Sequence, residues 1–184
     1  MADELIDILN PDNFEIIDTC MKSKAHKEGL LHASAHIWIF NSQGEILIQK
    51  RSPDKIAFPN VWDVSVAGHI ASGELPTLSA IREVKEEINL DITASHLNYV
   101  GTFREVVKHN EKYIDDEVHY IFLVKMNFDF NTLNIQEEEV SEITTIPITV
   151  LKDELKNENH YAFAKHPKDY YDFIIHQIEQ NLYV

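Results

Sequence analysis

Alternating hydrophobic and polar residues predict strands in the first part of the chain. Residues 33–40 and 45–50 have the apolar alternation that is typical of β-strands, and residues 41–44 between them have the composition of a turn. We therefore predict a hairpin over these residues. Residues 61–66 have a similar pattern and predict a further strand.

After this strand the spacing changes to that of a helix. From Leu75 to Ile88, apolar residues recur at intervals of three and four, and Pro76 is tolerated in a first helical turn. Strand-like runs follow at residues 97–103 and 118–126, and helical patterns at residues 150–155 and 168–182. Because strands and helices mix without regular βαβ alternation, we predict an α+β fold with helices packed on a mixed sheet.

Length and composition indicate one globular domain. The chain has 184 residues, of which 44% are hydrophobic and 26% are charged. We predict a single domain over residues 1–184, with a core at about 30–155, an N-terminal strand segment and a C-terminal helix. Cys20 is the only cysteine, which excludes an intrachain disulfide and favours a cytoplasmic location. The first ten residues lack the pattern of a signal peptide.

Charge limits the class of partner. The formal net charge of -15 argues against nucleic acid and against an anionic membrane surface, because both require a basic surface. Residues 20–60 are an exception, since their lysines and arginine, including Lys50 and Arg51, outnumber their acidic residues. These cations either form a solvated surface or contact phosphate oxygens.

The helix predicted after Leu75 has an acidic face. Glu83, Glu86 and Glu87 are spaced i, i+3 and i+4, so their carboxylates share one side of the helix. Three like charges repel each other unless a divalent cation neutralises them, and oxygen ligands suit magnesium, manganese or calcium. A solvated acidic helix has the same pattern, so the spacing alone leaves both interpretations open.

The residues around this face resemble the Nudix signature. Gly68, five residues, Glu74, seven residues and then Arg82-Glu83-Val84-Lys85-Glu86-Glu87-Ile88-Asn89-Leu90 match it at every specified position except one. The exception is Asn89, where the family has Gly. Since the residue that follows a helix often adopts a left-handed conformation, we expect Asn89 to preserve the turn.

The resemblance implies a Nudix-type α/β/α sandwich with a central mixed β-sheet. It also implies hydrolysis, dependent on Mg²⁺ or Mn²⁺, of a diphosphate linkage in a small phosphorylated metabolite, such as a nucleotide, a sugar diphosphate or a prenyl diphosphate. By this resemblance Glu83, Glu86 and Glu87 hold the metal, and Arg82 orients the carboxylates with Glu74 as its partner. A homodimer is expected from what the family often forms.

The base that activates water is left open by the resemblance. It is either one of the signature glutamates or a carboxylate elsewhere, for which Glu117, Glu138 and Glu139 are candidates. The sequence does not choose among them.

A wider resemblance, over about residues 5–155, is to the isopentenyl-diphosphate isomerases. It rests on Leu31-His32, Lys50-Arg51, Phe58-Pro59-Asn60-Val61-Trp62-Asp63 and Ser65-Val66-Ala67-Gly68-His69. It implies a second metal site at His26, His32, His69, Asp115 and Glu117, although His26 is one residue out of register and Asp115 replaces a Glu. It also makes Lys50, Arg51, Gly68, His69 and Glu117 candidates for substrate binding. The alternative is that the histidines are ordinary strand-end residues satisfied by hydrogen bonds.

Two differences favour a hydrolase over an isomerase. The isomerases have a catalytic cysteine where this chain has Ala67, and a methyl group cannot transfer the proton that moves a double bond. The hydrolase signature, which the isomerases keep only in degraded form, is retained here. We therefore predict a hydrolase, with isomerase-like activity and a non-catalytic sensor of nucleotides or other phosphorylated metabolites as the alternatives.

Overall fold

Within residues 3–157 and 160–182, which the computed structural model describes, nine strands form one mixed sheet. The strands are β1 (Leu5–Leu9), β2 (Ile16–Met21), β3 (His32–Phe40), β4 (Glu45–Arg51), β5 (Trp62–Asp63), β6 (Val66–His69), β7 (Asn98–Asn110), β8 (Tyr113–Lys125) and β9 (Val140–Pro147). The helices are α1 (Lys22–Glu28), α2 (Pro76–Ile88), α3 (Ile148–Asn157) and α4 (Lys168–Leu182). The predicted α+β class is confirmed.

The pairing of β3 and β8 forms the centre of the sheet. These two strands run parallel, in register from His32 opposite Glu117 to Phe40 opposite Lys125. The other strand pairs among the described residues are antiparallel: β7 with β8; β1, β4 and β6 with β3; β5 and β9 with β4; and β1 with β2. Residues on alternate positions of β3 and β8 therefore project side by side from the same face.

Helices cover both faces of this sheet. On one face, Val84 and Ile88 of α2 are fully buried against Ile37 of β3. On the other face, Tyr170 and Ile174 of α4 are fully buried in the cluster that contains Trp38 of β3. Each such apolar side chain contributes roughly 1.5–3 kcal/mol when it is removed from water. The two apolar layers fix the position of α2 and so the position of its acidic face.

The predicted strand at residues 61–66 is wrong as a single element. The structure has two short strands there, and they have different partners: β5 pairs with β4, and β6 pairs with β3. Between them, the Ser65 hydroxyl accepts a hydrogen bond from the backbone N–H of Ile39 at 2.8 Å and donates one to the carbonyl of Leu47. Ser65 thus bridges β3 and β4 where a continuous strand would otherwise lie.

The remaining predictions hold with changed bounds. The hairpin is confirmed, with Phe40 opposite Ile46, and α2 and α4 lie where the helical spacing placed them. The strands expected at 97–103 and 118–126 are both longer than predicted. They are the 13-residue strands β7 and β8, which pair as one hairpin. Within the described ranges, no helix has the length and apolar character of a membrane span.

Candidate functional site

Arg82 organises the acidic face of α2. Its guanidinium donates two hydrogen bonds to Glu74, at 3.1 and 2.8 Å, and one each to Glu83 at 2.6 Å and Glu86 at 3.1 Å. A further bond at 3.1 Å reaches the carbonyl of His69. The pKa of Arg82 is raised, chiefly by the bond to Glu74, so its charge is permanent. This one cation therefore sets the positions of three carboxylates and of the strand that faces them.

Gly68 is the point where β6 comes closest to the helix. A Cβ atom built on Gly68 would lie 2.0 Å from the carboxyl carbon of Glu83 and 2.3 and 2.4 Å from its two oxygens. Any side chain at position 68 would occupy the space of that carboxylate. Gly68 is therefore required by close approach to Glu83 and not by a left-handed backbone, since its φ is not positive.

The three glutamates of the face differ in exposure. The Glu86 side chain is 52% exposed, whereas that of Glu83 is 12% exposed and Glu87 as a residue is 3% exposed. Burial raises the pKa of Glu83 to about 7, and burial together with the charge of Glu83 raises the pKa of Glu87 to about 8. Gln49 of β4 donates a hydrogen bond of 3.1 Å to Glu87. Buried carboxylates this close together favour a site that a cation completes.

The expected turn after α2 is confirmed. Asn89 adopts a left-handed conformation with φ of 55°, and its backbone N–H donates to the carbonyl of Lys85 at 3.1 Å. Asparagine tolerates this conformation better than most residues other than glycine. The one departure from the signature therefore leaves the end of the helix intact.

A cavity of about 580 Å³ opens beside this face. Its lining includes Arg51, Gly68, His69, Arg82, Glu83, Glu86, Glu87, Glu117 and Glu139. Lys50 is not part of the lining, because it alternates along β4 with Arg51, which points into the cavity. Glu138 is exposed and also lies outside the lining. Of the three candidate bases outside the signature, Glu117 and Glu139 therefore lie at the cavity and Glu138 does not.

The histidines of the proposed second metal site come together at one end of this cavity. His26 of α1, His32 of β3, His69 of β6 and Glu117 of β8 each offer a ligand atom, and these atoms lie within 4.8 Å of one another. An Oε1 atom of Glu117 is 3.6 Å from Nε2 of His32 and 3.5 Å from Nε2 of His69. Asp115 lies beside the set, with Oδ1 2.8 Å from Nδ1 of His26.

Buried nitrogen atoms without partners make this set suitable for a cation. The Nε2 atoms of His26, His32 and His69 are buried and have no hydrogen-bond partner among the described residues. His32 donates its Nδ1–H to the carbonyl of Leu30 at 2.7 Å, so in the neutral ring the lone pair is on Nε2, which lies 3.6 Å from Oε1 of Glu117. Ordinary buried histidines have hydrogen-bonded ring nitrogens, so the unpartnered Nε2 atoms favour a cation site over strand-end residues.

A second group of polar side chains in the same cavity was not predicted from the sequence. It comprises Ser34, His36, Asp63, Glu105, His119 and His166, which we call the inner wall. A signal for part of it was present, because polar residues occupy every second position of β3 at 32, 34 and 36 and of β8 at 115, 117 and 119. His166 had no such signal, since it lies in an irregular segment whose residues 162–164 run beside β5.

The comparison with known families decides the assignment. A family model described as the NUDIX domain matches residues 30–166. The chain belongs to the Nudix family. Gly68 of β6 and the acidic face of α2 are thus the Nudix signature in three dimensions.

Similar proteins include Nudix hydrolases and an isomerase. This Nudix chain is 31% identical over 163 residues to Nudix hydrolase 3 of Arabidopsis thaliana, of which it spans 21%, while 86% of this chain is covered. It is 32% identical over 168 residues to an uncharacterised Nudix hydrolase of Clostridium acetobutylicum, covering 90% of this chain and 80% of that protein. It is also 32% identical over 125 residues to isopentenyl-diphosphate Delta-isomerase of Shigella boydii, covering 67% and 66% of the two chains.

Solved structures agree on the fold. The crystal structure of a Deinococcus radiodurans protein superposes on this Nudix domain with a TM-score of 0.66 and 19% identity, covering 96% of this chain and 98% of that one. The predicted α/β/α sandwich around a mixed sheet is confirmed. The identity is too low to transfer an activity, so the reaction has to be argued from the site.

Proposed function

We propose that this protein hydrolyses a diphosphate linkage in a small phosphorylated metabolite by attack of water on phosphorus, with Mg²⁺ or Mn²⁺ as cofactor. The observation that carries the proposal is the arrangement of Glu83, Glu86 and Glu87 around Arg82 at the wall of a cavity. A surface helix of solvated glutamates would not bury Glu87 to 3% exposure beside a second buried carboxylate.

The signature glutamates, Glu83, Glu86 and Glu87, would hold the cation, and we call the side of α2 that carries them the metal face. Carboxylate oxygens are the ligands that magnesium and manganese prefer. Burial, followed by the charge of Glu83, raises the pKa of Glu87, and a bound cation would stabilise its charged form. When bound, a divalent cation offsets the charge of the diphosphate and lowers the pKa of a coordinated water. Arg82 and Glu74 act as positioning residues, because Arg82 forms ion pairs with Glu83 and Glu86 and is itself fixed by its ion pair with Glu74.

Two cations of the protein are placed to meet the diphosphate. Arg51 and Lys55 both line the cavity, and the charge of each lowers the pKa of Glu87, which indicates that both are close to the metal face. Arg51 is held by hydrogen bonds to the carbonyl of Ala57 and to Asp63, both of 3.1 Å. Positioned cations of this kind orient a phosphoryl group for attack.

Glu139 is the best-placed base outside the signature. It lines the cavity, forms an ion pair with Lys55, and its charge raises the pKa of Glu87. Glu117 belongs to the histidine set, where it is surrounded by candidate metal ligands. We therefore assign proton acceptance from the attacking water to Glu139 or to a signature glutamate, and a second divalent cation to His26, His32, His69 and Glu117.

The isomerase alternative has weaker support. Ala67 lines the cavity at the position of the isomerase cysteine, and Cys20 is buried in a separate hydrophobic cluster with Ile6 and Ile8. Neither can donate a proton to a substrate in the cavity. A non-catalytic sensor is also less well supported, because every signature glutamate is retained.

The test is phosphate-coupled hydrolysis of a panel of nucleotide, sugar and prenyl diphosphates in Mg²⁺ and in Mn²⁺. Glu87→Gln should abolish metal-dependent turnover. Glu138→Gln is the matched control, since Glu138 is one residue from Glu139 but lies outside the cavity, and it should leave turnover unchanged. Tight ligand binding without turnover across the panel would favour the sensor, and double-bond migration in isopentenyl diphosphate would favour the isomerase.

Two wider expectations remain predictions. The cytoplasmic location rests on the single cysteine, and the homodimer rests on the family resemblance. Size-exclusion chromatography with light scattering would test the second.

A further inference from the structure

The inner wall is a buried polar surface next to the metal face. Ser34, His36, Asp63, Glu105 and His119 are each less than 8% exposed, and the His166 side chain is 5% exposed. All six line the cavity that also contains Glu87 and Glu117. A substrate whose diphosphate sits at the metal face would extend its remaining part along this wall.

Five consecutive hydrogen bonds or ion pairs hold the wall together. The Ser34 hydroxyl and Nδ1 of His119 are 2.8 Å apart, and Nε2 of His119 lies 3.3 Å from Glu105. The His166 ring lies between two carboxylates, with Nδ1 2.6 Å from Oε2 of Glu105 and Nε2 3.2 Å from Oδ1 of Asp63. Asp63 in turn accepts a hydrogen bond of 3.1 Å from Arg51. The side chains are therefore held in fixed positions before any ligand arrives.

The charges along the wall are balanced. Although burial opposes protonation, the bonds to Asp63 and Glu105 raise the pKa of His166 to about 9, so His166 is cationic at neutral pH. Bonds from His166 keep the pKa of Asp63 below its usual range in spite of burial. Two carboxylates thus face His166 and Arg51, which leaves no net charge to attract a charged ligand group.

His36 adds a donor of defined orientation. The Tyr170 hydroxyl accepts a hydrogen bond from Nε1 of Trp38 at 3.1 Å, so its own hydrogen is directed to Nδ1 of His36 at 2.8 Å. Burial lowers the pKa of His36, which is therefore neutral and carries its proton on Nε2. His36 stacks on His119 with ring centroids 3.9 Å apart and is paired with Ala67 across β3 and β6, so it faces the cavity.

We propose that the inner wall binds a neutral, hydroxyl-rich part of the substrate, such as a sugar, and excludes an apolar chain. Hydroxyl groups can donate to the spare lone pairs of Asp63 and Glu105 and accept from His36. An apolar chain would instead remove water from these groups and leave them without new partners. This inference rests on the proposed hydrolysis, because it assigns the substrate class of the same cavity.

The experiment compares kcat/KM for two substrate sets with the full chain in Mn²⁺. One set is ADP-ribose and UDP-glucose, and the other is isopentenyl and dimethylallyl diphosphate. We expect the sugar-containing set to be preferred by at least about 100-fold, because sites built to hydrogen-bond a substrate hydroxyl reject analogues without it by about 10⁴–10⁵-fold. Equal or better hydrolysis of the prenyl set would overturn the inference while leaving the hydrolase intact. Hydrolysis of neither set, and of no other diphosphate, would instead remove the proposed function.

Substitutions in β7 test whether the inner wall causes the preference for sugar-containing substrates. Glu105→Leu should raise KM for the sugar-containing substrates about 10–100-fold with little change in kcat. The ratio of kcat/KM between the sugar-containing and the prenyl substrates should therefore become smaller. Glu105→Gln should give a smaller change in the same direction and serves if the leucine variant is unstable. Arg104→Leu is the matched control, because Arg104 pairs with Asp116 outside the cavity and should leave the ratio unchanged. An equal loss for both sets in Glu105→Gln would indicate a structural role only and contradict the inference.

Discussion

Replacement of Gly68 by alanine tests whether the close approach of β6 positions a metal ligand. The new Cβ would lie 2.0 Å from the carboxyl carbon of Glu83, whereas ordinary van der Waals contacts begin at 3.4 Å. The carboxylate must therefore move by more than 1 Å. Since Gly68 does not have a positive φ, alanine imposes no backbone strain there, and the whole effect comes from this contact.

The expected cost falls on activity and not on folding. The displaced atoms are the end of a flexible side chain, so the free energy of unfolding should change by less than about 1 kcal/mol, as for substitutions without core disruption. A misplacement of about 1 Å in a catalytic site can reduce the rate about 100-fold. We therefore expect Gly68→Ala to lose about 100-fold in kcat/KM and to bind Mn²⁺ more weakly.

The assay combines metal-dependent hydrolysis, Mn²⁺ titration and urea unfolding. A double-mutant cycle isolates the mechanism, because Gly68→Ala should cost nothing further once Glu83 has been replaced by alanine. Two results would refute the proposed action of Gly68 through Glu83. One is a wild-type Mn²⁺ affinity in Gly68→Ala, and the other is a further loss of about 100-fold in kcat/KM when Gly68→Ala is added to Glu83→Ala.

Three further predictions concern the same residues and the wall behind them. Arg82→Lys should lower kcat about 10-fold or more, measured with saturating Mn²⁺, because lysine cannot reproduce the paired bonds to Glu74. In EDTA, Glu83 and Glu87 bind more protons in the folded protein than in the unfolded chain between about pH 4.5 and 8, since their pKa values are raised to about 7 and 8. Their contribution to the free energy of unfolding should therefore fall as pH rises through this range, and added Mn²⁺ should reverse the fall. Tyr170→Phe should cost about 1–3 kcal/mol in urea unfolding, because two buried ring nitrogens lose their partner; a change near zero would contradict the assigned network.

The parts of the fold that sequence predicted are those with strong local periodicity. The spacing of Ile81, Val84 and Ile88 follows the side of α2 that the sheet buries, so it is readable without the structure, whereas Leu78, which has the same spacing, is 54% exposed. Asn89 could also be interpreted locally, because a left-handed residue is a property of the helix end itself. Local rules were sufficient wherever one element alone determined the pattern.

The parts that sequence missed depend on contacts between distant segments. Ser65 interrupts the strand predicted at 61–66 because β3 and β4 both need its hydroxyl, and nothing near Ser65 in the chain signals that. His166 reaches Asp63 across 103 positions of the chain, through a segment that lies beside β5. Such residues become visible only when tertiary structure brings their partners together.

The register of β3 and β8 links the metal ligands to the inner wall. His32 is opposite Glu117 and Ser34 is opposite His119, so a ligand pair and a wall pair are two residues apart on the same face. A one-residue slip of β3 against β8 would turn His32 and Ser34 to the opposite face, where α2 packs, and would separate each from its partner. The proposed metal binding and the proposed substrate selection therefore depend on the same strand pairing. A substitution at position 34, 36 or 119 would leave this strand pairing in place, whereas a backbone change in β3 would disturb both the proposed metal ligands and the inner wall.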